Sequence, residues 1–317
     1  MLRYSITRIL SSIVILFIIS ILAFLLMNVL PGDPAARIVG INATPESIEL
    51  TKARLGLDLP LHERYGKWMF NALQGDLGES TINQLPISDT FGRRIPATLN
   101  LGILSLLVVV CLAIPIGVVA ALKPGSKREV TGSTLMIVGN SIPEFITGIG
   151  LVLLIGLHLD LLPVVGYVPF WEDPIQNLRH MAMPVTAVAL TATTLLMRQT
   201  RSAMINVLND DYIRTARAKG LRTRVVVVRH GLRNALIPIV TVFGFQAGLI
   251  FSGAVITEQV FGIPGMGRLF VENVVNSQDF NIVQNVVMFF AVCVVLVNLL
   301  VDLSYPLLDP RIREGRS

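Results

Sequence analysis

Apolar residues are concentrated in six long blocks of this 317-residue chain. Runs of about 18 or more apolar residues predict membrane-spanning helices, because roughly 20 residues cross a hydrocarbon core of about 30 Å. A spanning segment must satisfy its own backbone hydrogen bonds in lipid, which favours a helix. The six predicted spans cover residues 9–30, 98–122, 133–157, 182–197, 235–256 and 284–305. The fourth is the weakest, because it is short, rich in Thr and Ala, and contains Pro184.

The first apolar block is expected to persist as a helix and not to be removed as a signal peptide. A secretory signal has a shorter apolar region that ends at a small-residue cleavage site. This block instead runs into Pro31-Gly32-Asp33-Pro34. The chain is therefore predicted to consist of a first helix (1–30), an extracytoplasmic insertion (31–96), a core membrane domain (97–305) and a tail (306–317).

The distribution of Lys and Arg predicts that both termini lie in the cytoplasm. This orientation puts most of the 26 Lys and Arg residues on the inner side, as the positive-inside rule requires. The largest group lies between Arg198 and Arg233. The net charge of +5 thus reflects a basic inner face and gives no reason to expect a nucleic-acid partner. Cys111 and Cys293 fall inside spans and are interpreted as small apolar residues, and no metal site is predicted.

The insertion at 31–96 is predicted to be folded. Thr44 followed by Pro45 indicates a helix start and Gly56 a helix stop. A second helix is predicted over residues 60–74, and five of its side chains share one face. These are Leu61, Tyr65, Trp68, Met69 and Ala72. The insertion is interpreted as a small cap packed on the membrane domain, and a docking surface for an external partner remains the alternative.

Two further segments outside the spans are distinctive. The inner loop at 206–234 contains a short predicted helix with acidic residues at its start, basic residues toward its end, and Gly220 as a cap. Since it lacks an apolar stripe long enough to span, it is expected to lie flat at the membrane face or to insert into another protein. The outer segment at 257–282 contains Pro264, Gly265 and Gly267, which predict a turn near membrane depth. Irregular backbone at that depth is tolerated only against protein or a water-filled cavity.

No catalytic motif is present in the sequence. It contains no Gly-x-x-x-x-Gly-Lys-Ser/Thr phosphate loop, no His-Glu-x-x-His and no Gly-x-Ser-x-Gly. The chain is therefore not expected to hydrolyse ATP or to be an enzyme. A transport protein needs no catalytic residues in its pore-forming subunit, but it needs a cavity, gates and an energy source.

Polar side chains inside the spans are candidates for a translocation pathway, because a charge in lipid costs about 2.5–3.5 kcal/mol on insertion scales. Glu144 lies near the middle of the third predicted span and follows Pro143, where the helix is expected to bend or open. It either lines the pathway or is a structural carboxyl group bonded to freed backbone groups. Asn140 and Ser141 belong to the same candidate pathway. Gln246 in the fifth span is also included, with a helix-to-helix hydrogen bond as the alternative.

Eight short motifs lie in order along the chain. They are Pro-Gly-Asp-Pro at 31–34, Leu-Gly-Leu-Asp at 55–58, Gly-Asp-Leu-Gly at 75–78, Pro-Ala-Thr-Leu at 96–99, Asp-Tyr-Ile-Arg-Thr-Ala-Arg-Ala-Lys-Gly-Leu at 211–221, Arg-His-Gly-Leu-Arg-Asn-Ala at 229–235, Pro-Gly-Met-Gly-Arg-Leu at 264–269 and Leu-Asp-Pro-Arg-Ile-Arg at 308–313. Together they resemble the peptide- and nickel-type permeases of ABC importers, and the resemblance covers essentially the whole chain.

The resemblance implies an all-α membrane fold, the type I importer permease fold with six transmembrane helices. It also implies that the inner loop forms a coupling helix that docks on an ATPase subunit. The implied coupling residues are Asp211, Tyr212, Arg214, Thr215, Ala216, Arg217, Ala218, Lys219 and Gly220. Aligned with the general Glu-Ala-Ala-x-x-x-Gly pattern, Ala216 and Gly220 match and Arg214 departs, so a Glu-based contact is not carried over. A solvated basic face near anionic lipid is the alternative for this loop.

The partners implied by the resemblance are a homologous second permease subunit, two ATPase subunits or domains that bind ATP and Mg, and an external substrate-binding protein. The implied location is the bacterial cytoplasmic membrane, and the implied outer gate contains Pro264, Gly265 and Gly267. Di- and oligopeptides are the expected cargo; nickel chelates, glutathione and some sugars are alternatives. The rival from another class is a secondary transporter or channel that needs no ATPase. The lack of a strong internal repeat argues against the secondary transporter, and the coupling loop argues against both.

Overall fold

The computed structural model describes residues 2–29, 44–123, 142–277 and 279–308, together with positions 35, 39, 125, 126, 132 and 134. The helices in this part of the chain are α1 (Leu2–Val29), α2 (Pro45–Leu55), α3 (Leu61–Leu73), α4 (Ile87–Leu122), α5 (Glu144–Leu151), α6 (Pro174–Leu208), α7 (Asp211–Ala218), α8 (Arg233–Val260), α9 (Met266–Val271) and α10 (Phe280–Leu308). Three π-helical segments extend this set: Val152–His158 after α5, Val226–Leu232 before α8 and Glu272–Ser277 after α9.

Five of the described helices are long and apolar enough to cross a membrane: α1, α4, α6, α8 and α10. The third predicted span lies partly outside the described residues. Its described portion includes the shorter apolar helix Glu144–His158. Five spans are thus supported by length and composition, and the sixth stays a prediction.

The helix at the fourth predicted span is much longer than the hydropathy pattern indicates. It covers Pro174–Leu208 and starts at Asp173, whose side chain accepts hydrogen bonds from the backbone N–H groups of Ile175 and Gln176. The helix lies at the centre of the bundle and packs against both α4 and α8. Because its surface faces other helices more than lipid, it can carry Thr and Ala residues that a lipid-facing helix would replace with larger apolar ones. The hydropathy pattern therefore indicated only the middle part of this helix, residues 182–197.

Among the described helices, α4 and α6 share the most extensive contact. A Cβ atom at Gly117 of α4 would lie 2.7 Å from Cβ of Thr200 on α6, which is too short for a real contact. Only glycine allows the two backbones to approach this closely, as in other membrane helix pairs. The main hydrophobic core surrounds this contact and includes Leu101, Leu196 and Met204, each 0% exposed.

The two predicted helices of the insertion are present with nearly the predicted ends. Thr44 caps α2 through a reciprocal hydrogen-bonding pair with Ser47, and Gly56 ends it in the left-handed region at φ 64°. Helix α3 packs on α1, because the Tyr65 hydroxyl lies 2.8 Å from Ser20 Oγ and Trp68 stacks on Phe24. The helices of the insertion are therefore seated on the first spanning helix.

Farther along the insertion, a second anchor reaches α10. Ser80 Oγ donates a 2.6 Å hydrogen bond to the Asp279 carboxylate, and Asn285 Nδ2 donates to the Leu77 carbonyl at 3.0 Å. Both contacts lie at the N-terminal end of α10. The region between α3 and α4 is thereby fixed to the same end of the bundle as the outer turn.

Candidate functional site

The predicted short helix of the inner loop is α7. It contacts the bundle along one buried edge and is otherwise exposed. It begins at Asp211, ends at Ala218, and is followed by Gly220 in the left-handed region at φ 76°. Asp211 lies in the first turn and Arg217 in the last, as the helix dipole favours. The predicted helix, its charge arrangement and its glycine end are all present.

Only two side chains of α7 are buried, and they are three residues apart. Ile213 is 0% exposed and Ala216 is 8% exposed, and both join the main hydrophobic core. The other six residues of the helix, and Lys219 and Gly220 after it, are exposed. Ala216 therefore anchors α7 within this chain. The exposed residues of this segment are Asp211, Tyr212, Arg214, Thr215, Arg217, Ala218, Lys219 and Gly220, and a docking role for them stays a prediction.

The chain returns from α7 to the bundle through a helical connection. The helical turn Thr223–Val225 and the π-helical segment Val226–Leu232 lead without a break into α8. Asn234 at the start of α8 donates a 2.7 Å hydrogen bond to the Tyr212 hydroxyl. Gly231 packs closely on α6, since a Cβ atom there would lie 3.2 Å from Cε of Met204. Thus α7 is linked both to the end of α6 and to the start of α8.

At the opposite end of α8, the predicted outer turn is held by two buried side chains. Glu258 and Thr98 are both 0% exposed, and Thr98 Oγ1 donates a 2.5 Å hydrogen bond to Glu258 Oε1. Glu258 Oε2 accepts from the backbone N–H of Arg268 at 2.9 Å, and Thr98 Oγ1 accepts from the N–H of Met266 at 2.7 Å. Side chains from α4 and α8 therefore cap the first turn of α9.

A charged group surrounds this capped turn. Arg268 Nε lies 2.8 Å from Glu272 Oε1, and Arg94 Nη2 lies 3.3 Å from Glu272 Oε2. Arg268 Nη1 also donates to the carbonyl of Gly262 at 3.1 Å. This bond connects the Gly262 carbonyl, before the turn, to α9, which follows the turn. Of the predicted turn residues, Gly265 and Gly267 are buried and Pro264 is half-buried; Met266 between them is also buried.

The candidate pathway residues are not all within the described part of the chain. Glu144 begins α5 and accepts a hydrogen bond from Thr257 Oγ1 on α8. Gln246 lies midway along α8 and is only 3% exposed. Asn140 and Ser141 lie outside the described residues. Glu144 and Gln246 thus contribute to a surface between helices of this chain, and a pathway role for either stays a prediction.

Sequence reasoning missed Thr98 and Glu258 as site residues. Thr98 belongs to the Pro-Ala-Thr-Leu motif at 96–99, and Glu258 lies within the outer segment at 257–282. An ionisable residue seven positions before Gly265, near the end of an apolar block, was the available signal. Among the described residues, no group of three or more His, Cys, Asp or Glu side chains is arranged to hold a metal ion.

Family comparisons cover nearly the whole chain. Residues 113–314 match the model of the binding-protein-dependent transport system inner membrane component. Residues 1–102 match the N-terminal region described for the same kind of membrane component. A putative peptide transport system permease protein of Brucella abortus (strain 2308) is 39% identical over 306 residues, which cover 96% of this chain and 97% of that protein. The glutathione transport system permease protein GsiC of Escherichia coli O6:H1 is 38% identical over 313 residues, 99% of each chain.

Solved structures extend the likeness to the fold. The inward-facing MetNI methionine ABC transporter contains a chain that matches with a TM-score of 0.58 at 16% identity, over 69% of this chain and 96% of that chain. A chain of an amino acid ABC transporter with histidines matches with a TM-score of 0.51 at 14% identity, over 68% of this chain and 92% of that chain. These identities are too low to transfer details, so they support the fold alone.

Proposed function

This chain belongs to the family of binding-protein-dependent transport system inner membrane components, and from that membership we propose that it is one permease subunit of an ATP-driven importer of di- and oligopeptides. In the proposed mechanism an external binding protein delivers the peptide to the outer end of the bundle. Hydrolysis of Mg-bound ATP takes place in two separate ATPase subunits or domains. The chain works beside a homologous second permease and exposes its substrate alternately to the two sides of the bacterial cytoplasmic membrane.

The observation that carries the proposal is the arrangement of α7. A helix with two anchored residues and an otherwise exposed surface, held between α6 and α8, is suited to dock in a neighbouring protein. Its exposed cations favour a partner surface with acidic or polar groups. Basic residues on this side support the orientation with both termini in the cytoplasm. We also propose the division into helix 1–30, outer insertion 31–96, core 97–305 with coupling loop 206–234, and inner tail 306–317.

Glutathione is a second candidate cargo. It is itself a small peptide, and the glutathione permease of Escherichia coli aligns with 99% of this chain. Nickel chelates remain a further alternative from the sequence resemblance. An ATPase-independent secondary transporter is disfavoured, because such a protein docks no ATPase and does not need an exposed, anchored docking helix.

The test is reconstitution of the complex that purifies with the tagged chain. Proteoliposomes containing that complex and its binding protein are supplied with radiolabelled alanyl dipeptides or glutathione, with ATP or with a non-hydrolysable analogue. We expect an ATPase to copurify and uptake of a peptide to require hydrolysis. Arg217→Glu, which reverses an exposed charge on α7, should lower both copurification and uptake. Arg93→Glu makes the same charge change on the exposed outer start of α4, away from α7, and should leave copurification of the ATPase intact. Uptake at the wild-type level without ATP would contradict the proposal.

A further inference from the structure

The outer end of α8 contains an internal cap that the family assignment does not explain. Three consecutive backbone N–H groups, those of Met266, Gly267 and Arg268, begin α9. Thr98 Oγ1 accepts the first at 2.7 Å, and Glu258 Oε2 accepts the third at 2.9 Å. The first N–H groups of any helix have no partner within the helix. Here the first and the third are satisfied by side chains that belong to two spanning helices.

The glycines of the turn are required by this cap. A Cβ atom at Gly265 would overlap the carboxylate of Glu258, and a Cβ atom at Gly267 would lie 2.5 Å from Cα of Val255 in the α8 backbone. The turn must therefore lie directly against the last two turns of α8. The two glycines of the Pro-Gly-Met-Gly sequence are therefore needed for this close contact with α8 as well as for the bend.

Apolar contacts complete the attachment. Met266 and Leu269, on one face of α9, are buried in a second hydrophobic cluster with Ile87 and Phe91 of α4 and Val286 of α10. Glu258 and Thr98 thus join α8, α9 and α4 at a point where water is excluded. A buried donor left without an acceptor costs more than the average hydrogen bond contributes, so the pairing opposes separation of the turn from α8.

The two ends of α8 therefore have different partners. The helix runs from Arg233, beside α7, to Val260, beside the outer turn, and 28 residues at 1.5 Å each span about 42 Å. Thr257, next to Glu258, also donates to Glu144 of α5. A displacement of the inner end of α8 can therefore be transmitted through Thr257 and Glu258 to α4, α5 and α9.

We propose that Glu258, assisted by Thr98, is the positioning residue that makes the outer turn move as one body with α8. The inference rests on the proposed importer function and adds to it a named connection between the coupling helix and the outer gate. This role requires no contact between Glu258 and the substrate. It acts by holding the backbone of residues 266–268.

The test uses the reconstituted complex with four variants. Glu258→Gln keeps the side-chain volume but leaves one acceptor oxygen where the carboxylate offers two, and its amide group faces backbone donors. Thr98→Val removes the hydroxyl group, while Thr98→Ser keeps it and should restore wild-type behaviour. Glu172→Gln changes the same charge at an exposed position and is the control.

Two measurements are needed: amide hydrogen exchange over residues 261–275 in the purified chain, and peptide imported per ATP hydrolysed, normalised to assembled complex. We expect Glu258→Gln and Thr98→Val to speed exchange at 266–268 by roughly 5- to 150-fold, as expected for one buried donor left unpaired. Import per ATP should fall at least about fivefold while hydrolysis continues.

The proposed role of Glu258 would be overturned if Glu258→Gln left amide exchange at 266–268 unchanged. It would also be overturned if exchange became faster but the peptide imported per ATP hydrolysed did not change. A Thr98→Ser variant as defective as Thr98→Val would do the same, because packing and not the hydroxyl group would then be responsible. Failure of the importer proposal looks different: wild-type complex would import no peptide with ATP, whereas the exchange measurement would still report on the cap.

Discussion

Replacing Ile213 with Ala tests the attachment of α7 most directly. Ile213 is 0% exposed and is one of only two buried side chains on this eight-residue helix. Truncating a fully buried Ile to Ala costs about 2–5 kcal/mol. A cost of about 3 kcal/mol, within that range, corresponds to roughly a 150-fold shift between the attached and released helix.

The released helix should not keep its shape. Isolated helices shorter than about 12–15 residues are marginal in water, so α7 depends on its anchors. The spanning helices do not depend on Ile213, and the variant should insert into the membrane normally. We expect faster amide exchange over residues 211–220 and at least about a tenfold loss of ATP-driven peptide uptake in proteoliposomes.

Leu221→Ala is the matched control, because it removes a similar side chain from the same loop at a position that is 41% exposed. It should change exchange and uptake little. If Ile213→Ala retains both the wild-type protection and the wild-type uptake, the anchoring of α7 through this residue is refuted.

Three further variants test other parts of the structure. Gly220→Ala should destabilise the end of α7 by about 1–2 kcal/mol through its positive φ alone, since no atom lies within 4 Å of the new Cβ; amide exchange at 217–220 measures it. Gly102→Ala should destabilise the detergent-solubilised chain in thermal unfolding by about 1–3 kcal/mol, because the new Cβ would overlap the ring of Phe251 on α8. Gly92→Ala is the control, since its new Cβ has open space and should not change stability. Glu144→Gln keeps an acceptor for Thr257, so uptake of neutral dipeptides should persist while cationic peptides lose affinity if the carboxylate lines the pathway; equal kinetics for both peptide classes would contradict that role.

Elements whose signals are local could be predicted from the sequence. Helix α2 begins after Thr44 and ends at Gly56, as predicted, because a capping side chain and a left-handed glycine act on their immediate neighbours. The C-terminal end of α7 follows for the same reason, because Gly220 takes the left-handed conformation, whereas Asp210 makes no side-chain cap bond at its start. Helix α3 was predicted over 60–74 and is found at Leu61–Leu73. On the predicted face, Tyr65 and Trp68 pack on α1, while Leu61 is 48% exposed.

Features that depend on distant contacts could not be predicted. The Thr98–Glu258 hydrogen bond joins residues 160 positions apart, and nothing near either residue indicates the partner. The extent of α6 was underestimated for a related reason. Hydropathy measures how well a segment suits lipid, and α6 packs mostly against other helices, so its sequence is not constrained to be uniformly apolar. The burial of Ala216, likewise, depends on how α7 sits against the bundle and not on the motif that contains it.

The attachments at the two ends of α8 differ in kind, and this difference indicates where the fold can bend. At the outer end, Glu258 and Thr257 are buried and bonded to three other elements. At the inner end, the Asn234–Tyr212 hydrogen bond is exposed, and exposed polar contacts contribute little because water competes for both groups. The segment just before α8, Val226–Leu232, is π-helical, and π-helical turns are rare and concentrate at functional positions. A displacement of α7 is therefore expected to bend the chain first in that segment and then to move α8 together with the outer turn, which keeps its place on α8.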